Sequence, residues 1–185
     1  MTLTVKQRAE TIGTFRFIHI NLMETLARWT PTTPEMEVKV LFGRDIWEEA
    51  QHADALGKRT HELRAPLHHT QPPSAGYLAF LGQLAAIDAT ADRLAAFYDV
   101  TLPALARRYD EFLAATDHLL DAPSVKVVKR ILTDIAEMRR GAEQLRTELP
   151  LLRSSSDLSA LDAAERSDAY IVTHQPIPER EKATA

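Results

Sequence analysis

Helix-forming stretches dominate the pattern of this chain. Long segments rich in Ala, Leu, Arg and Glu, with few β-branched residues, alternate with short clusters of breakers. The breakers fall at Thr30-Pro31-Thr32-Thr33-Pro34, from Ala65-Pro66 to Pro72-Pro73-Ser74, from Val100 to Pro103, at Asp121-Ala122-Pro123-Ser124 and at Pro150. The pattern predicts helices over 11–30, 35–64, 75–98, 101–119 and 124–149. Pro34 and Pro103 sit where a proline opens a helix without removing a needed N–H, and Asp121 or Ser124 is placed to cap the last helix. The third and fourth segments read equally as one long helix kinked near Pro103. After Pro150 the character changes: Ser154-Ser155-Ser156 opens a tail with room for one short helix across 158–168, and 175–185 is polar and proline-containing. The expectation is an all-α helical bundle domain over 11–150 and a C-terminal extension over 151–185, loosely ordered or packed along the outside.

Charged residues on apolar faces carry the chemistry. Placed at 100° per residue, Val38, Phe42, Ala53 and Leu56 share one face of the second helix, with Ile46 at its margin and Glu49 at its centre. A carboxylate there costs several kcal/mol unless it is paired or ligated. His52 follows three residues later, and the Glu49–His52 spacing projects an oxygen and an imidazole in nearly the same direction. Asp45 lies one turn down on the same side. On the first helix, apolar nearly all round, Glu24 shares a face with Phe17, Ile20 and Ala27, while His19 points elsewhere and suits packing or hydrogen bonding. The last helix carries a core stripe of Val127, Ile131, Ile135, Met138, Ala142 and Leu145, with Asp134 on its margin and Glu137 further round. In segment 101–119 the inward face holds Leu102, Leu105, Phe112, Leu113 and Thr116 with Tyr109 at its centre, and Asp110 and Glu111 point away.

Composition narrows the function classes. The 185 residues include 26 Asp and Glu against 22 Lys and Arg, so no basic surplus invites nucleic acid. Cysteine is absent, which removes disulfides, thiolate metal sites and a cysteine nucleophile, and suits a cytoplasmic protein. Residues Met1 to Glu10 lack an apolar leader core, no run approaches a membrane span, and no glycine-rich phosphate loop is present.

Together, Phe17-Ile18-His19-Ile20-Asn21-Leu22-Met23-Glu24, Asp45-Ile46-Trp47-Glu48-Glu49-Ala50-Gln51-His52-Ala53 and Asp134-Ile135-Ala136-Glu137 resemble the ferritin-like superfamily of carboxylate-bridged di-iron proteins, over Thr14 to Leu149. The resemblance implies an antiparallel ferritin-like bundle in which each half supplies a Glu from one helix and a Glu-x-x-His from the next. Glu24, Glu49 and His52 match the first half-set. In the second, Asp134 stands at the bridging Glu position and Glu137 at the His position, and Tyr109 occupies the inward place where a carboxylate is due. The implied cofactor is iron or manganese, one ion or two, held by oxygen donors and one imidazole. The implied function is oxidation or hydroxylation of a small organic substrate by dioxygen or peroxide, with Tyr109 as a hydrogen-bond donor to bound oxygen.

The bland alternatives stay open. They are a metal-free bundle acting as a scaffold or partner-binding protein, with Glu49 and His52 left as a buried hydrogen-bonded pair; Glu24 paired with Arg28 or Arg44; and Asp134 and Glu137 solvated or paired with Arg107, Arg108 or Arg130. A haem-oxygenase-like bundle with a coincidental Glu-x-x-His is a third reading. His68-His69 reads as surface loop. The apolar outer face of helix 11–30 suggests a homodimer.

Overall fold

The computed structural model describes residues 3–166, which contain no strand. In chain order the helices are α1 (Val5–Thr32), α2 (Met36–Glu62), α3 (Ala75–Ala85), α4 (Thr90–Ala95), a π-helical segment (Ala96–Thr101), α5 (Leu102–Ala115), α6 (Ala122–Glu148), a 3-10 turn (Pro150–Leu152) and α7 (Ser159–Arg166). The expected tail over 175–185 lies outside the described residues. No helix among the described residues is long and apolar enough to cross a membrane.

Local chemistry fixes the helix ends. Thr4 opens α1 with a reciprocal cap: its hydroxyl accepts from Gln7 N–H while Gln7 Oε1 accepts from Thr4 N–H. Ser74 caps α3 by accepting from Tyr77 N–H. Asp121 stands at the N-cap of α6, but its carboxylate serves side chains instead: it accepts from Arg59, Ser124 and Thr116 at 2.6–2.8 Å.

Four long rods make the body. Side-chain neighbours give their directions: α1 meets α2 at Trp29–Phe42, α1 meets α5 at Phe15–Phe112, α2 meets α6 at Arg59–Ser124 and His52–Asp134, and α6 meets the π segment at Arg146–Asp99. Each neighbouring pair is antiparallel, so α2 and α4–α5 run the same way. Residues 63–89 must therefore travel the whole length of the body between them. That crossover passes close over α1, where Gln71 N–H donates to Gly13 C=O and Arg16 donates to His68 C=O. A Cβ at Gly13 would sit 3.0 Å from the His69 ring, so glycine lets the crossing segment lie close without shifting that side chain. His68 is exposed there, as a loop residue should be.

The predicted helix 75–98 is corrected: the chain breaks at 86–89. No proline or glycine marks the break. Side chains take the freed carbonyls instead: Trp29 Nε1–H from α1 takes that of Ala85, and Arg93 Nε–H from the next helix takes that of Ile87. The helix then runs from Thr90 to Ala115 through the π segment, so the long-helix reading holds across the junction before Pro103 and fails at 86–89. Leu102 N–H reaches back five residues to Phe97 C=O. The next donor in that register would be Pro103, which has none, and the Tyr98 carbonyl takes Arg139 Nε–H at 3.1 Å instead.

The core runs the length of the body. Val38, Phe42, Leu56, Ile131, Ile135 and Met138 are buried in it as expected, and so are Leu152 and Leu161 from the extension. On α7, Glu165 is fully buried and accepts from Arg107 and Arg108 on α5. The extension as far as Arg166 is thus packed along the outside of the body.

Candidate metal centre

Midway along the bundle, polar side chains from four helices meet inside the apolar core. His19 of α1, Glu49 and His52 of α2 and Tyr109 of α5 are each at most 2% exposed, and Asp134 of α6 closes the solvent side at 20%. His19 Nδ1 contacts Glu49 Oε2, and His19 Nε2 lies 2.7 Å from the Tyr109 hydroxyl. His52 Nε2–H donates to Asp134 Oδ2 at 3.1 Å, and the two imidazoles meet edge to face with centroids 4.9 Å apart. Phe15 stacks on Tyr109 at 4.2 Å and closes the inner wall.

Burial sets the protonation states. It pushes the Glu49 carboxyl up to about 8, with the His52 charge opposing. It pulls His19 down to about 3 and lowers His52, whose fall the neighbouring Glu49 and Asp134 resist. At neutral pH both rings are therefore neutral and Glu49 holds a proton. The assignment that satisfies most groups has Glu49 O–H donating to His19 Nδ1 and His19 Nε2–H donating to the Tyr109 oxygen.

Two buried atoms remain without a hydrogen-bond partner, Glu49 Oε1 and His52 Nδ1. Each leaves a lone pair unused, at a cost of about 1–3 kcal/mol per group. A cation removes both deficits. His19, Glu49 and His52 each offer a ligand atom, and these atoms lie within 4.8 Å of one another. Tyr109 and Asp134 occupy the Nε2 sides of the two rings, which leaves Nδ1 of each to bind and fixes its direction. Two imidazoles and one carboxylate fit a mononuclear non-haem iron site and suit zinc as well. The expected single imidazole is thus corrected to two, and the preference for iron or manganese over zinc loses that support.

The other expected ligands are placed differently. Glu24 is corrected from an inward to an exposed position, where its carboxylate lies 3.8 Å from Arg28. The buried stripe of α1 runs through Ile18, Leu22, Leu26 and Trp29, and Glu24 is on the opposite side. Glu137 is likewise exposed, two positions past buried Ile135. Asp134 is brought to the site beside His52, and Arg130 also lies 3.6 Å from it. Glu48, which the sequence reading passed over, forms a half-exposed ligand group with His52 and Asp134. Asp45 does not reach His52. It accepts from Tyr98 O–H and Arg44 at 2.6 Å each, one turn from Glu49. No family model matches the chain, and neither a curated protein nor a solved structure matches it.

Proposed function

We propose that this chain is a ferritin-like bundle holding one non-haem metal ion between His19, Glu49 and His52, and that it is an oxidoreductase acting with dioxygen or peroxide on a small organic substrate. The single observation that carries the metal is the pair of unpartnered lone pairs, Glu49 Oε1 and His52 Nδ1, that belong to one buried cluster whose ligand atoms lie within 4.8 Å of one another. The topology supports the family: four antiparallel-neighbour rods with one full-length crossover are the ferritin-like arrangement. One ion is preferred to two because Glu24 and Glu137 stand outside the cluster.

The metal, when bound, supplies a Lewis acid and, as iron or manganese, a one-electron redox centre. The chain's own groups do the rest. Asp134 and Tyr109 hold the two rings in orientation. The aromatic wall of Phe15 and Tyr109 excludes water on the inner side. Glu49 gives up its proton when the cation arrives. Solvent and small reactants approach from the Asp134–Glu48 side, where exposure is greatest.

Chelator-stripped protein reloaded without oxygen with Fe(II), Mn(II) or Zn(II) is expected to retain one ion per chain by elemental analysis. Because Glu49 must release a proton at about 8, affinity rises about tenfold per pH unit up to that value and levels above it. Oxygen uptake by the Fe(II)-loaded protein tests the oxidoreductase assignment. No retained ion of any of the three between pH 6 and 9 leaves the metal-free scaffold as the reading.

A further inference from the structure

The outer face of α2 carries four residues that its own fold does not use. Met36, Val40 and Trp47 are 63–67% exposed, and a Cβ at Gly43 would meet nothing within 4 Å. Their spacing is four, three, four, the a/d seam of a coiled coil, and it lies opposite the core face of Val38, Phe42, Asp45 and Glu49. An exposed mid-helix tryptophan is uncommon on a monomer surface and frequent at the energetic centre of an interface. Gly43 costs the helix about 1 kcal/mol relative to alanine. Gly141, by contrast, makes room for the Arg44 guanidinium within its own chain. At Gly43 the missing side chain leaves the helix backbone open to close approach from outside.

The geometry points to a second copy of this chain, docked antiparallel through α2 about a two-fold axis. In that register Val40 packs on Gly43 of the second copy and Met36 on Trp47 of the second copy. The flanking positions then bring Glu37 opposite Arg44 of the second copy, twice by symmetry. Glu37 is exposed, and Arg44 keeps 48% of its side chain exposed while its Nε holds Asp45. A parallel pairing sets Lys39 beside Arg44 of the second copy, cation against cation, so the charges select the antiparallel form. The homodimer expected on α1 is thereby moved to α2. It does not depend on whether the core holds a metal.

The cysteine-free chain allows a direct test. Met36→Cys and Trp47→Cys chains are prepared separately and oxidised alone or mixed. Residues 36 and 47 are about 16 Å apart along a helix, so in the antiparallel register neither variant reaches its own kind. The mixture is expected to give a disulfide-linked heterodimer and each variant alone none. Cross-linking of each variant alone overturns the antiparallel register. Wild-type protein at about 100 μM is expected to sediment as a dimer, and Val40→Glu, an exposed change, as a folded monomer with an unchanged circular dichroism spectrum. A wild-type monomer at that concentration overturns the proposal, and so does a Val40→Glu dimer.

Discussion

Glu49→Gln is expected to abolish metal retention and, in the same protein, to raise the stability of the metal-free fold above neutral pH. The two effects have one cause. Burial raises the Glu49 carboxyl to about 8. The unfolded chain ionises it near the ordinary value of 4.5, so between 4.5 and about 8 the unfolded state binds fewer protons than the folded one. Stability of the metal-free wild type therefore falls as pH rises through that window, by an amount on the order of 2–4 kcal/mol. The glutamine amide keeps a donor for His19 Nδ1 without titrating, and the slope disappears. Denaturation of stripped wild type and Glu49→Gln at pH 6 and pH 8.5 measures the difference. Equal slopes in both proteins would show that Glu49 does not titrate in the folded core. His19 acts at the other end: its value of about 3 means that folding stability is lost as pH falls below 6.5.

Asp121→Ala is expected to cost about 3–5 kcal/mol, the range for breaking a buried ion pair by removing one partner. The Asp121 carboxylate is fully buried and accepts from Arg59, Ser124 and Thr116, with Arg8 Nε at 3.8 Å. These groups tie the end of α2 to the α5–α6 connection and the start of α1. Removing the acid leaves Arg8 Nε without its carboxylate and Arg59 with only the exposed Glu62, which its Nη1 meets at 2.7 Å. The melting temperature should fall by roughly 6–20 °C. Asp110→Ala, at an exposed position on α5, should change stability by no more than about 0.5 kcal/mol. Asp121→Asn removes the charge and keeps part of the hydrogen bonding: with its amide oxygen at the Oδ1 position it still accepts from Ser124, while Thr116, which donates to Oδ2, meets the amide NH2 instead. An intermediate loss is expected.

What could be read in the sequence depended on how clearly each helix declares its phase. On α2 and α6 the core residues fall on one side, with Met36, Val40 and Trp47 the large apolar residues on the outer side of α2, and the buried faces, the inward Glu49 and His52 and the marginal Asp134 follow from the wheel. α1 is apolar nearly all round, so composition does not choose a face. The choice of Phe17, Ile20 and Ala27 brought Glu24 inward and turned His19 away. The buried positions Ile12, Phe15, His19, Leu22, Leu26 and Trp29 instead repeat at three and four, and His19 is the polar member of that seam. That regular spacing was the available signal that His19 faces the buried cluster. The break at 86–89 had no such signal, because the carbonyls at its edge are taken by Trp29, far off in the chain, and by the Arg93 side chain just beyond it. The Asp45–Tyr98 contact was equally hidden, since only the crossover brings those helices together.

The wide turn at Ala96–Thr101 bears on how this chain should be compared with others. Each π turn stores about one residue more than an α turn of the same reach. A relative lacking that residue, with plain α geometry across the stretch, would present the same faces on both sides: Arg93 and Leu94 before it, Leu105 and Tyr109 after it. A one-residue gap therefore belongs inside the helix at 96–101. Placing it in the flanking loops instead would rotate the whole of α5 by about 100° in any comparison and remove Tyr109 from its counterpart.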